Sequence, residues 1–212
     1  MKDTWLQKLN GGYSLTLGVE TMGIREMSIK AIEYLLRASG VLATSLLIFL
    51  VGVVSYNVIA RYLFNASSIG LEELAWHLYA SVFLLAIPYA VYTGSHVRID
   101  LVYESRSEAY KRMVGILGCI VFLLPFALVT LYYGGVFTVQ AFSYGNQPDT
   151  FSGIWQQLLS SDGIGEKSQD PGGLTNRFII KAIIPLSALL LSLAGIRNIL
   201  ILLNTNSPQE AP

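Results

Sequence analysis

The sequence predicts an all-α integral membrane protein with four membrane-spanning helices and an interfacial helix ahead of the first. Three observations carry this expectation. Of 212 residues, 53% are hydrophobic and 13% charged, where an average soluble domain carries about 25% charge. The mean hydropathy is +0.53. Four stretches with few or no charges are each long enough, at about 1.5 Å per residue, to cross a hydrocarbon core about 30 Å thick. A water-soluble fold of this length has too little interior to hide so much apolar surface.

The first thirty residues carry Lys2, Asp3, Lys8, Glu20, Arg25 and Glu26. They lack the apolar core of a secretory signal, so the N-terminal segment is expected to be retained. Within residues 1–37, Glu26, Lys30, Glu33 and Arg37 share one helical face, opposite Ile24, Met27, Ala31 and Leu35. That pattern predicts an amphipathic helix lying in the membrane interface, or else a simple extension of the first span. Glu26 with Lys30 and Glu33 with Arg37 form favourably oriented i, i+4 pairs.

The membrane domain is expected over residues 38–203. Its first span, 38–60, lies between Arg37 and Arg61, with Tyr56 and Asn57 as its most polar side chains. Span two, 74–95, is opened by Glu72 and Glu73, whose carboxylates suit the positive end of a helix dipole, and Pro88 is expected to kink it. Span three covers 113–139. Span four covers 178–203, with Lys181 and Arg197 near its ends, where long side chains can snorkel to headgroups. Ala188, Ser192 and Gly195 form a small-residue stripe suited to close helix approach, with Gly115 and Gly118 as weaker candidates. Such residues are also common in membrane helices generally.

Between the last two spans runs a loop, 140–176. Phe151, Ile154, Trp155, Leu158 and Leu159 are spaced as one apolar helical face, for the membrane surface or a partner. Residues 160–173, rich in Gly, Ser and Asp, read as flexible linker. A short tail, 204–212, follows span four. Basic residues set the orientation. With the N-terminus inside, the cytoplasmic side collects Lys2, Lys8, Arg25, Lys30, Arg37, Arg98, Arg106, Lys111, Arg112 and Arg197, and the outer side Arg61, Lys167, Arg177 and Lys181. Both termini are therefore expected in the cytoplasm.

The 14 basic and 14 acidic side chains cancel, so no net field favours a nucleic acid partner; the bilayer is the expected surroundings. Cys119 is the sole cysteine, which excludes an internal disulfide. No phosphate loop or nucleophile motif is present, so neither catalysis nor a cofactor is expected. An independent transporter or channel would need ionisable ligands near the midplane, and the central thirds of the spans hold none. A haem- or quinone-enzyme anchor is the other alternative. Its haem form wants facing axial histidines, whereas His77 and His96 lie about 28 Å apart along a helix. Glu72 and Glu73, about 100° apart on a helix, suit either pairing of one of them with Arg61 or helix capping in solvent. The pair expected here is Arg61 with Glu73, fixing spans one and two, while His96, Arg98 and Asp100 cap the other end of span two. Asn65-Ala66-Ser67 matches a glycosylation sequon, a match too short to carry weight.

Asn57, Arg61, Tyr62, Phe64 and Asn65, then Glu72-Glu73-Leu74, then Gly94 and His96-Val97-Arg98-Ile99-Asp100 together resemble the small permease subunit of the tripartite ATP-independent periplasmic (TRAP) transporters. Gly172-Gly173-Leu174, Arg177, Lys181 and Pro185-Leu186 are similar to its extended-loop branch. The resemblance covers about residues 40 to 200. It departs at Ile69-Gly70-Leu71, where many relatives carry a Trp, at Ala86-Ile87-Pro88, where many carry Gly-Ala, and at Thr175, often Pro. It implies a non-catalytic subunit of the bacterial inner membrane, without cofactor or metal. This subunit would stabilise the scaffold of a large sodium-coupled membrane subunit and help dock a periplasmic solute-binding protein through residues 62–71 and 140–176. The implied solutes are organic acids, 2-oxo acids or other monocarboxylates in this branch. Asn57, Arg61, Glu72, Glu73, His96, Arg98, Asp100, Trp155 and Lys181 are the candidate structural or subunit-interface residues.

Overall fold

In the computed structural model, residues 24–94, 107–145, 147 and 153–204 are described. They form helices α1 (Ile24–Phe64), α2 (Ile69–Thr93), α3 (Glu108–Gly118), a π-helical turn (Cys119–Leu123), α4 (Leu124–Ser143), α5 (Gly153–Leu158) and α6 (Phe178–Asn204). Four helical stretches are long and apolar enough to cross a membrane: Glu26–Phe64, Ile69–Thr93, Glu108–Ser143 and Phe178–Leu203.

Of the two expectations for residues 24–37, the continuous one describes the geometry: they are the first turns of α1, which runs 41 residues without a break. No proline interrupts the segment, and Leu36, Ser39 and Ala43 are buried along one face, so packing continues across the junction at Arg37. At about 1.5 Å per residue α1 is about 60 Å long, twice a hydrocarbon core. The helix stops where Asn65 adopts φ 51°, a left-handed conformation that Asn tolerates better than most residues. There the Ala66 N–H turns back to the Ala60 carbonyl at 3.2 Å. Ser68 then accepts the Leu71 and Glu72 amides on its carbonyl, starting α2.

Helix α2 continues through Pro88, which is fully buried, and ends at Gly94, φ 70°, whose N–H reaches the carbonyls of Ala90 and Val91. In the third span the Ser107 side chain caps α3 by accepting the Tyr110 amide. The π turn follows, closed by the Leu124 N–H on the Cys119 carbonyl, and Pro125 sits in the first turn of α4. A widened turn beside a proline absorbs the missing donor and the bulk of its ring.

Span four is the hub. Helix α6 packs against α1, α2, α3, the π turn and α4, and among the described residues α3 and α4 meet the other spans chiefly through α6. Buried residues make up 39% of the most apolar window of the fourth span but 6% of that of the third. Leu36 and Ala43 of α1, Leu85 of α2, and Leu190 and Ala194 of α6 form the core cluster. The expected stripe Ala188, Ser192 and Gly195 is buried. A Cβ built on Gly115 would lie 3.0 Å from Leu202 Cδ1, while Gly118 faces open space. Small residues thus let α6 be approached from both sides, as expected where lipid supplies no hydrophobic drive for helix association.

Candidate functional site

The functional geometry gathers at the two ends of the bundle. At the long-loop end, Glu73 in the first turns of α2 accepts two hydrogen bonds: one from the Ser168 hydroxyl and one from the Leu174 N–H at 2.7 Å. Ser168 and Leu174 are also joined by their own backbone, Ser168 N–H to Leu174 O at 2.9 Å. Lys181, one turn into α6, donates to Glu166, whose other oxygen lies 4.0 Å from Arg177. Asn176, at φ 58°, accepts the Ile164 N–H on Oδ1 at 2.6 Å and donates Nδ2 to the Leu158 carbonyl at 3.0 Å. Ile164 is 1% exposed, and the Glu166 N–H closes on Ala141 O at 2.8 Å. Asp162 is held below the usual carboxylate range by its hydrogen bond and charge pairing with Lys167 at 2.8 Å.

These contacts correct two expectations. Residues 160–173 are not a linker but a folded cap, because Glu73 and Asn176 hold Ser168 and Ile164 from outside it and its own Glu166 pairs with Arg177 and Lys181. Arg61 pairs with Glu72, at 3.9 Å, and not with Glu73, which is turned toward the cap. Lys181 turns to Glu166 of the cap and lies 4.0 Å above the Phe137 ring. Trp155 sits on α5 as expected and is exposed. Glu166, Ser168 and Asn176 were not singled out from the sequence. Asn176, two residues before an apolar run, was the one local signal there.

At the opposite end Arg197 likewise turns inward. Its Nε and Nη2 both reach Glu33 Oε1, at 3.0 and 2.6 Å, and its guanidinium lies 4.7 Å from the Tyr92 ring centre. Arg37 donates to the Tyr92 hydroxyl at 2.8 Å. Glu33 therefore pairs across the bundle and not with Arg37 one turn on. This cluster borders a cavity of about 740 Å³ lined by Val91, Gly115, Cys119, Ile201 and Leu202. His96, Arg98 and Asp100 lie outside the described residues.

Within the spans, Asn57 Oδ1 is buried with no hydrogen-bond partner, and His77 Nδ1 is 2.6 Å from the Glu73 carbonyl. Among the described residues no three His, Cys, Asp or Glu side chains cluster as metal ligands. What the arrangement does chemically is hold helices: each end of span four is fixed by an ion pair to another element.

A comparison with curated proteins gives no match. The family described as "Tripartite ATP-independent periplasmic transporters, DctQ component" matches residues 50–205, nearly the whole membrane region. The chain belongs to that family and is a small membrane component of a TRAP transporter.

Proposed function

We propose that the chain is the fixed, non-catalytic scaffold of a sodium-coupled importer of organic acids in the bacterial inner membrane. It would brace a large transport subunit and help seat a periplasmic binding protein, with both of its own termini in the cytoplasm. The observation that carries this reading is the clasping of span four at both ends, Lys181 to Glu166 and Arg197 to Glu33. Ion pairs spent on holding helices together suit a brace better than an ion pathway, which needs ionisable ligands left available to the transported species.

The large subunit is expected against span three, whose apolar side chains are the least covered by this chain. Arg61 is half-exposed and only loosely paired, so it can engage that subunit, with Asn57 one turn before it and Glu72 beside it. His96, Arg98, Asp100, Lys181 and Trp155 complete the proposed structural set. The cap together with α5, passing so close to α2 that a Cβ on Gly70 would lie 3.0 Å from the Gly172 oxygen, supplies the surface for the binding protein.

Purification of the tagged chain in mild detergent is expected to recover a multi-span protein at least twice its size, and its deletion to abolish uptake of the solute. Arg61→Ala should lower recovery of the large subunit without changing solute preference. Recovery of the chain alone, or with redox proteins and a haem absorbance band, would overturn the proposal.

A further inference from the structure

We infer that Trp155 and Leu159 form a lipid-dipping edge of the cap, seated in the headgroup–acyl boundary of the leaflet on the long-loop side. The inference rests on the membrane-spanning reading and goes beyond the scaffold role. Helix α5 and the turn that follows it, where the Leu159 N–H reaches the Trp155 carbonyl at 3.3 Å, present two i, i+4 pairs. Ile154 and Leu158 are half-buried, whereas Trp155 and Leu159 are 67% and 84% exposed. Two large apolar side chains so exposed on one edge need a covering. The sequence from Phe151 to Ser161 has no ionisable side chain, the nearest being Asp149 and Asp162.

The height of this edge is set by contacts. Leu158 O is bonded to Asn176 Nδ2 at 3.0 Å, two residues before Phe178 opens span four. Phe178 in turn meets Phe142, in the last turn of α4, edge-to-face at 5.2 Å. The end of α5 is therefore held level with the ends of spans three and four, where chain passes from water to hydrocarbon. Exposed Tyr144 lies at the same level. A Trp with one apolar and one polar edge, an aliphatic neighbour and no charge to desolvate fit the interfacial zone. A protein partner docking by charge would find its handles instead on Lys167, Gln169 and Asp170, on the exposed rim of the cap.

The test uses the full chain in phosphatidylcholine vesicles with Trp5→Phe and Trp76→Phe, leaving Trp155 as sole fluorophore. Phospholipids brominated high on the acyl chain should quench its emission about twofold or more, acrylamide should quench it weakly, and added binding protein should change neither. Quenching by acrylamide but not by brominated lipid, or loss of lipid quenching when the binding protein is added, would overturn the inference. If the double variant does not fold, a nitroxide at Leu159→Cys in a Cys119→Ala chain asks the same question. Relaxation by oxygen over a water-soluble nickel chelate supports lipid contact, and the reverse order refutes it.

Discussion

The Ser187 hydroxyl in α6 donates to the Leu84 carbonyl in α2, the acceptor left vacant because Pro88 has no N–H to offer one turn later. In lipid an unpaired carbonyl has no water to turn to. One serine thus both repairs the backbone of span two and ties it to span four.

Ser187→Ala should therefore destabilise the bundle by about 1 kcal/mol, since interhelical side-chain bonds in membranes are worth roughly 0.6–2 kcal/mol. The distinguishing measurement is a double-mutant cycle with Pro88→Ala, read by reversible unfolding in mixed micelles. Pro88→Ala restores a donor to Leu84, so the cost of Ser187→Ala should shrink in that background. Equal costs in the two backgrounds would mean the hydroxyl does not stand in for the proline.

The paired carboxylates of α2 should separate cleanly. Glu73→Gln weakens two bonds to the cap, at about 1–3 kcal/mol for a partly buried charged acceptor, so trypsin should cut after Lys167 roughly tenfold faster. Glu72→Gln disturbs only a 3.9 Å, half-exposed pair with Arg61 and should leave the cleavage rate unchanged. Equal acceleration by both would place the clasp on the wrong residue.

Hydropathy made the four spans and the small-residue stripe legible, because in lipid the length of an apolar run is itself the structural constraint. Long-range choices were not legible. Whether Glu72 or Glu73 faces Arg61 depends on the rotation of α2 about its axis, and two adjacent residues differ by about 100°. The cap was hidden because Gly, Ser and Asp mark flexible and tightly turned chain alike. Gly163, Gly165 and Gly172 have φ of 61°, 68° and 81°, values that glycine adopts freely, and Glu73 and Ala141, which hold Ser168 and Glu166 between them, lie far off in sequence. Arg197 looked like a snorkelling residue because its acidic partner Glu33 is in another helix, 164 positions away.

Two adjacent glycines in α4 should behave oppositely. A Cβ on Gly134 would meet Ile184 Cγ2 at 2.9 Å and the Pro185 ring and nitrogen at 3.2 and 3.3 Å, whereas one on Gly135 meets nothing. Gly134→Ala must push α4 from α6 and should cost about 1–3 kcal/mol. Gly135→Ala should be neutral or stabilise by up to about 1 kcal/mol through helix propensity. Thermal unfolding in detergent, followed by circular dichroism, reads both changes, and a tolerated Gly134→Ala would show that the two helices are not in close contact there.

Arg197 is more demanding than its charge alone. Two guanidinium nitrogens converge on one Glu33 oxygen while the plane lies near Tyr92, and both ion-pair side chains are mostly covered. Arg197→Ala strands the Glu33 carboxylate, and breaking a buried pair from one side costs about 3–5 kcal/mol, less here because each group keeps some exposure. Arg197→Lys keeps the charge but replaces a planar fork with a point donor, so it should recover only part of the loss. Pairing Arg197→Met with Glu33→Gln removes both charges and should be better tolerated than Arg197→Ala alone. If all three variants unfold at the same midpoint as the unaltered chain, the pair contributes nothing to holding α6 against α1. The scaffold proposal would then have to rest on the long-loop clasp.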